Sequence, residues 1–183
     1  MKARTQDSRQ TDMDSDAMDL ARTAFQHART GDTARLAWLL EAGLPVNLCN
    51  ERGDTLLMLT AYHGYTEATR LLLEHKADVE RTNDRGQTPL AGVAFKGDVN
   101  VARLLLDHGA RVDGVGPDGK TALMFAAMFD RLDVLELLLS RGASPEHKDA
   151  EGRTALDYAY AMGARRTTER LAGMSQPRVH PST

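Results

Sequence analysis

Residues 119–130 read GKTALMFAAMFD, and similar segments begin at Gly53, Gly86 and Gly152. The first glycines of consecutive segments are 33 residues apart each time (86−53, 119−86 and 152−119). The other three segments read GDTLLMLTAYHG, GQTPLAGVAFKG and GRTALDYAYAMG. Such a fixed period over most of a chain is the signature of a repeat protein, in which one small structural unit is copied and stacked.

Each unit is predicted to contain two helices. The first apolar segment is followed by a leucine triplet, at 71–73, 104–106 and 137–139, and then by a polar stop that reads HKAD, HGAR or RGAS. Around the first triplet, Glu67, Arg70 and Glu74 fall on the face opposite the leucines, which is the pattern of an amphipathic helix. Neither helix can bury its apolar face alone, so neighbouring units must stack.

The predicted helix ends carry matching signals. A threonine stands before each first helix, where its side chain can accept a hydrogen bond from a free backbone N–H group (Thr55, Thr88, Thr121 and Thr154). Pro89 suits the first helical turn, because its fixed φ costs nothing there. Left-handed glycines are predicted to end the second helices at Gly43, Gly109 and Gly142, and Lys76 replaces this glycine in the second unit.

These features carry a family resemblance. A unit with G-x-T-x-L, a small-residue first helix, a leucine-rich second helix and a G-A stop resembles the ankyrin repeat, and residues 88–90 keep the family's T-P-L. The resemblance covers roughly residues 17–173 and implies an all-α repeat solenoid, with helix-turn-helix pairs joined by β-hairpin loops. Its units are expected at about 17–49, 50–82, 83–115, 116–148 and 149–173, the first and last being degenerate caps. The histidine that follows T-P-L in the family is replaced by Met58, Ala91, Met124 and Asp157.

The units are expected to form one domain, residues 15–174. The tails at 1–14 and 175–183 are expected to be disordered, because their Asp, Ser, Gln and Pro content buries too little area to offset the ordering entropy. In the first cap, Trp38 is expected to pack against the next unit. In the last cap, a polar outer face is expected from Arg165, Arg166, Glu169 and Arg170, as the end of a solenoid needs for solubility.

Residues 114–121, GVGPDGKT, raise a competing hypothesis. They match the phosphate-binding loop pattern G-x-x-x-x-G-K-[ST] and also contain G-x-G-x-x-G. The repeat register argues against nucleotide binding, because Lys120 occupies a position that holds aspartate, glutamine or arginine in the other units. The preceding LLLDHGARVDG also reads as a helix end and a turn, where a phosphate loop follows a buried strand. Gly114 and Gly116 are instead expected to loosen this loop, since glycine adds backbone freedom.

Composition narrows the function classes. The 183 residues are 42% hydrophobic and 27% charged, which is ordinary for a soluble globular protein, and the net charge of −3 argues against nucleic acid as the partner. No signal peptide or membrane span is predicted, which points to the cytoplasm. The chain is also expected to be a monomer. Cys49 is the only cysteine, which excludes an internal disulfide and a thiolate metal cluster. None of the six histidines forms the i, i+4 pattern of a zinc site, and no cofactor or catalytic motif survives the repeat register.

The expected activity is therefore the binding of a protein partner. In the ankyrin family, partners are usually held by the hairpin tips and the exposed ends of the first helices. Carried over residue by residue, the site is Tyr62, Phe95 and Met128 in one column, His63, Lys96 and Phe129 in the next, Arg131, and the hairpin residues Asp54, Gln87, Lys120 and Arg153. The first column is expected to form a continuous apolar stripe. The alternative is that its members are core, because apolar residues at helical spacing usually are.

A closer resemblance covers mainly residues 31–115. The run GLPVNLCNERGDTLLMLTAYHG followed by NDRGQTPLAGVAFKG is similar to bacterial ankyrin proteins often encoded beside catalase and linked to peroxide tolerance, in which Gly92 and Phe95 recur. This resemblance implies a scaffold in oxidative-stress defence. An immunity or inhibitor protein that binds one toxin or enzyme is the alternative. An enzyme is the third hypothesis, and it would require a perturbed ionisable cluster in a deep pocket.

Overall fold

The structure is a computed structural model that describes residues 18–175. It divides into two compact units, Met1–Asp78 and Val79–Thr183, whose described parts are residues 18–78 and 79–175. The tails predicted at 1–14 and 175–183 lie outside the described residues, except for Ser175, which ends the last helix.

Both compact units are helical. The first contains α1 (residues 18–30), α2 (Thr33–Glu41), α3 (Leu56–Tyr62) and α4 (Thr66–Glu74). The second contains α5 (Pro89–Lys96), α6 (Val99–Asp107), α7 (Ala122–Met128), α8 (Leu132–Ser140), α9 (Ala155–Met162) and α10 (Arg165–Ser175). Across residues 18–175 the only extended pairing is an isolated antiparallel bridge between Cys49 and Thr55. The predicted all-α repeat class is therefore confirmed.

The helices pair and stack at the predicted period. In the first compact unit α3 packs against α4, and α2 also packs against α4. In the second, the pairs are α5 with α6, α7 with α8 and α9 with α10. Helix α7 also packs against both α5 and α9, and α8 packs against α6. Like helices of successive repeats therefore lie next to one another, as stacking requires.

The predicted threonine caps are confirmed. In each case the threonine hydroxyl oxygen accepts a hydrogen bond from the backbone N–H group three residues later, at 3.1 to 3.3 Å (Thr55 from Met58, Thr88 from Ala91, Thr121 from Met124 and Thr154 from Asp157). Pro89 is the first residue of α5, as predicted. These local interactions set where the first helix of each repeat begins.

The predicted left-handed helix ends are also confirmed. Gly43, Gly109 and Gly142 have φ angles of 95°, 93° and 89°, and Lys76 takes the same conformation with a φ of 65°. A Cβ added at any of the three glycines would have no atom within 4 Å. The glycines are therefore required by backbone conformation and not by crowding, and Lys76 bears the cost of a side chain at positive φ.

The prediction for Trp38 is wrong, because its side chain is 58% exposed. Trp38 shares its repeat position with Arg170, and the Arg170 guanidinium hydrogen bonds back to Glu136 in α8. This position therefore faces the preceding repeat, and the described residues contain no repeat before α1 and α2. The polar outer face of α10 is present at Arg165, where Nε pairs with Glu169 at 2.9 Å, and at exposed Arg166. Arg170 was also expected on this face, but its side chain bonds back to Glu136 of the preceding repeat.

Candidate protein-binding surface

Two of the predicted aromatic side chains meet in the second compact unit. Phe95 lies in the last turn of α5, Phe129 follows α7, and their ring centroids are 4.4 Å apart in an edge-to-face arrangement. Such a pair contributes stability beyond the area it buries. Both rings are half-buried, as is Met128. We call Phe95, Lys96, Met128, Phe129 and Arg131 the Phe95–Phe129 surface; its apolar members are neither full core nor fully exposed.

Arg131, the N-cap residue of α8, is held in position by contacts with the end of α5. Its Nε donates a hydrogen bond to the carbonyl oxygen of Phe95 at 3.0 Å. Its aliphatic stem crosses Gly97, where an added Cβ would lie 2.7 Å from the Arg131 Cδ. Glycine is needed at position 97 both for this contact and for a φ of 90°. Lys96 is exposed beside Phe95 in the sequence.

A second aromatic group lies in the first compact unit. Tyr62 ends α3, is 38% exposed, and meets the His63 ring edge-on at 5.6 Å. The His63 ring stacks in turn on Tyr65 at 5.9 Å. Tyr65 is not among the predicted site residues, because it lies before α4 and outside the columns at the ends of the first helices.

Tyr65 has the same structural role as Arg131. The Tyr65 hydroxyl donates to the carbonyl oxygen of Arg29 at 3.2 Å, and its ring covers Gly31, where an added Cβ would lie 2.6 Å from the ring. Arg131 makes the equivalent contacts in the second compact unit. The two residues are separated by two repeat lengths (131−65 = 66). The shared spacing is the signal that could have identified both as residues that hold a preceding helix end in place.

The structure thus brings the predicted apolar residues together in two groups, one in each compact unit. The expectation of a single continuous stripe through Tyr62, Phe95 and Met128 stays a prediction. None of these three side chains is fully buried.

Among the predicted hairpin residues, three are engaged within their own loops. Asn50 Nδ2 donates to Asp54 at 3.4 Å, Lys120 Nζ pairs with Asp118 at 2.7 Å, and Arg153 pairs with Asp149 and Glu151. Gln87 is half-buried. A partner that binds Asp54, Lys120 or Arg153 must therefore either accommodate these loop contacts or replace them with its own.

A recurring loop anchor was missed from the sequence. Asn50, Asn83 and Asp149 occupy one repeat position, and each uses Oδ1 to accept hydrogen bonds from the backbone N–H groups two and four residues later. Such side-chain bonds close a tight turn locally. The spacing of 33 (83−50) and 66 (149−83) residues could have revealed them.

Asp149 is the most strongly perturbed of these anchors. Its side chain is fully buried, and its Oδ2 accepts a hydrogen bond from the Tyr158 hydroxyl at 2.5 Å. Burial alone would raise the pKa of Asp149, but the hydrogen bonds from Tyr158 and the backbone of Arg153 and Glu151, with the Arg153 charge, hold that pKa well below its usual range. Burial and the same hydrogen bond raise the pKa of Tyr158. This network connects the loop to Tyr158 of α9, and each of its strong contacts joins residues of the loop and this helix.

The GVGPDGKT segment, residues 114–121, forms an inter-repeat loop. It follows helix α6, and Thr121 caps α7. A Cβ added at Gly116 would lie 1.8 Å from the carbonyl oxygen of Gly86, so Gly116 is needed for close packing. Gly116 is therefore required by packing, and the expected looseness of this loop stays a prediction. The Lys120 ammonium pairs with Asp118 of the same loop, and the phosphate-loop hypothesis does not predict this contact.

A groove of about 770 Å³ opens in the first compact unit. Its lining includes the apolar residues Phe25 and Leu59 and the residues Arg29, Arg52 and Cys49. The groove lies between α1 and the loop before α3, and no feature of the repeat pattern predicts it. Its mixed lining offers contact area for a ligand without a convergent set of catalytic groups.

Other candidate chemistry finds little support within residues 18–175. No group of three His, Cys, Asp or Glu side chains there is arranged to hold a metal ion. His75 and His108 lie at the C-termini of α4 and α6, where each Nδ1 is 2.9 Å from a helix carbonyl oxygen. None of the described helices has the length and apolar character needed to span a membrane.

Comparison with known proteins shows the family of the chain. A family model described as ankyrin repeats (3 copies) matches residues 24–116 and 112–179. A Pseudomonas aeruginosa protein named as an ankyrin repeat protein is 48% identical over 65 residues, which cover 36% of this chain and 38% of the relative. The chain thus matches well under half of that relative's length.

Proposed function

The chain belongs to the ankyrin-repeat family, and we propose that it is a non-catalytic scaffold that binds a protein partner. The proposed contact residues are the Phe95–Phe129 surface and, in the first compact unit, Tyr62 and His63. The observation that carries the proposal is the contact between Phe95 and Phe129, whose rings are left half-buried. Their neighbours Ala94 and Ala127 are fully buried. Clustered apolar side chains that a protein leaves partly exposed are typical of the centre of an interface.

The test is affinity capture of the partner from the native cell with the full chain. The triple variant Tyr62→Ser, Phe95→Ser, Met128→Ser removes the apolar column. A matched control, Trp38→Ser, Tyr160→Ser, Met174→Ser, removes three side chains that are 58%, 62% and 42% exposed outside the proposed surface. Truncating an interface anchor typically costs about 2 kcal/mol or more of binding free energy.

We expect the wild type and the control to retain the same partner and the column variant to lose it, with circular dichroism unchanged in all three. Equal retention by the column variant would contradict the proposed surface. Early melting of the column variant would show instead that Phe95 and Met128 act mainly as core.

A narrower proposal places this scaffold in the peroxide defence of a bacterium. The peroxide link is supported by the resemblance of residues 31–115 to ankyrin proteins encoded beside catalase, and the bacterial setting by the Pseudomonas aeruginosa relative. Deletion of the gene should lower survival in hydrogen peroxide, and the wild-type gene should restore it. Unchanged survival would remove the peroxide link and leave the scaffold proposal intact.

We also propose that the protein acts as a cytoplasmic monomer and that its partner is neither nucleic acid nor membrane. The net charge of −3 supports the exclusion of polyanions, and a single cysteine suits a reducing compartment. Light scattering should give a mass near 20.1 kDa. Twice that mass would contradict the monomer.

A further inference from the structure

We propose that the partner segment bound at the Phe95–Phe129 surface is acidic, with a carboxylate placed against the Arg131 guanidinium and an apolar side chain placed against Phe95 and Phe129. The inference rests on the proposed function, because it specifies the chemistry of the partner at the same surface.

The first support is that Arg131 is held in position but not neutralised. Its Nε is bonded to the Phe95 carbonyl oxygen at 3.0 Å, and its stem is confined over Gly97. Among the described residues no carboxylate pairs with this guanidinium, which is exposed. A guanidinium has five N–H donors in a fixed fork, so the two Nη atoms remain to bind a carboxylate. Because the side chain is already ordered, binding costs little further side-chain entropy.

The second support is the charge around the surface. The neighbouring acids are engaged at helix starts: Asp98 Oδ1 accepts from two backbone N–H groups of α6, and Asp130 Oδ1 accepts from the backbone and hydroxyl of Thr167. Asp133 is exposed in the first turn of α8, where a negative charge suits the helix dipole. The exposed cations are Lys96 and Arg131. Asp98 and Asp130 thus already accept hydrogen bonds from the protein, and the Arg131 guanidinium is the ordered cationic donor beside the aromatic pair for an incoming carboxylate.

The arrangement also explains why the partner should combine an acid with an apolar side chain. A carboxylate alone on an exposed arginine contributes little, since water screens the pair. An apolar side chain packed on the half-buried Phe95 and Phe129 rings excludes water from the adjacent ion pair. Charge-assisted hydrogen bonds are stronger in such a setting.

The test starts from a displayed library of random 12-residue peptides, selected against the full wild-type chain. Peptides whose binding is lost in the Phe95→Ser variant are synthesised with each Asp or Glu kept or changed to the corresponding amide. Affinities are measured by fluorescence anisotropy for wild type, Arg131→Gln and Arg131→Lys. The matched control is Arg103→Gln, which removes an exposed arginine of α6.

We expect Phe95-dependent peptides to carry an acid next to an apolar residue. The acid-to-amide change should weaken binding to wild type and to Arg103→Gln about 10-fold, which corresponds to about 1.4 kcal/mol. It should have little effect on binding to Arg131→Gln, and Arg131→Lys should recover part of the preference. This is a double-mutant cycle, so it isolates the coupling between the acid and Arg131.

Three outcomes would each overturn the inference. The selected peptides could lack acids, the acid-to-amide change could have the same effect in Arg131→Gln as in wild type, or the library could contain no Phe95-dependent binder. The proposed function fails on a different observation, namely retention of the native partner by the column variant. A partner that depends on Phe95 but not on Arg131 would therefore keep the scaffold proposal and remove the acidic one.

Discussion

Residues 116–128 and 149–161 occupy the same repeat positions in the second compact unit, yet several of these positions hold residues of opposite character. Buried Met124 corresponds to exposed Asp157. Ala127, with no exposed surface, corresponds to Tyr160, which is 62% exposed. Helix α7 packs against both α5 and α9, whereas no described helix pair follows α9 and α10. The comparison shows that the side chain at a repeat position depends on whether another repeat covers it.

The contacts of the two helices give the physical reason. The hydroxyl of Thr167, in α10, donates to the Ala127 carbonyl oxygen at 2.9 Å, so the Ala127 position lies against the following repeat. The Ala127 side chain has no exposed surface, so a larger one there would have to displace its neighbours. At the uncovered end, Asp157 uses its carboxylate to accept hydrogen bonds from the Thr154 backbone and hydroxyl, which completes a capping box.

The largest effect is expected from exchanging these residues. Ala127→Tyr should destabilise the protein by about 3 kcal/mol, because a ring cannot enter the buried position without moving the surrounding helices. Tyr160→Ala should change stability by less than about 0.5 kcal/mol, as is usual for an exposed site. Thermal unfolding should show a melting temperature about 10 °C lower for the first variant and nearly unchanged for the second. Similar losses in both variants would mean that Tyr160 is also covered.

Sequence reasoning recovered the features that repeat and missed those that depend on neighbours. The period predicted both helices, the threonine caps and the left-handed position of Lys76, because these follow from local interactions. It misplaced Trp38, since spacing alone does not show which repeat a side chain faces. For the site, the pattern predicted Phe95 and Phe129 as candidates but could not reveal that they touch, or that Tyr65 and Arg131 fasten neighbouring helix ends.

A medium effect is expected in the loops before the two helices, where Gly116 corresponds to Asp149. Asp149→Asn should keep the turn, as Asn50 and Asn83 do, but lose the charged hydrogen bonds to Tyr158 and Arg153. We expect a loss of about 1 to 2 kcal/mol at pH 7. The measurement is urea unfolding of both proteins across pH.

The sign of the pH dependence follows from the lowered pKa of Asp149 in the folded protein. Its stabilising contribution is fully present above the ordinary aspartate pKa of about 3.9 and is lost as the pH falls through the lower folded value. The difference between wild type and Asp149→Asn should therefore be constant from about pH 7 to pH 5 and shrink below about pH 4. A difference that grows towards acid pH would contradict the assigned network.

A smaller effect, of opposite sign, is expected at Lys76. Lys76 shares its repeat position and left-handed conformation with Gly43, Gly109 and Gly142, but it is not a glycine. Lys76→Gly should stabilise the protein by about 1 kcal/mol, because it removes a side chain from a φ of 65°. Gly109→Lys is the matched reverse change and should destabilise by a similar amount. Chemical unfolding measures both. A loss of stability in Lys76→Gly would show that the lysine side chain makes compensating contacts.

The smallest effect is expected at Lys120, which occupies the same repeat position as Arg153. Its Nζ pairs with Asp118 at 2.7 Å, and the two side chains are 20% and 42% exposed. Burial would raise the pKa of Asp118, but the hydrogen bonds and charge of Lys120 lower it. Because an ion pair of this exposure contributes little, Lys120→Ala should cost less than about 1 kcal/mol.

Calorimetry with ATP and magnesium should show no binding to wild type or to Lys120→Ala, since the lysine is one variable residue of a loop whose glycines serve turn geometry and packing. Binding of ATP that disappears in Lys120→Ala would mean that residues 114–121 are a nucleotide site, and that they are not equivalent to the Asp149 loop with which they have been compared.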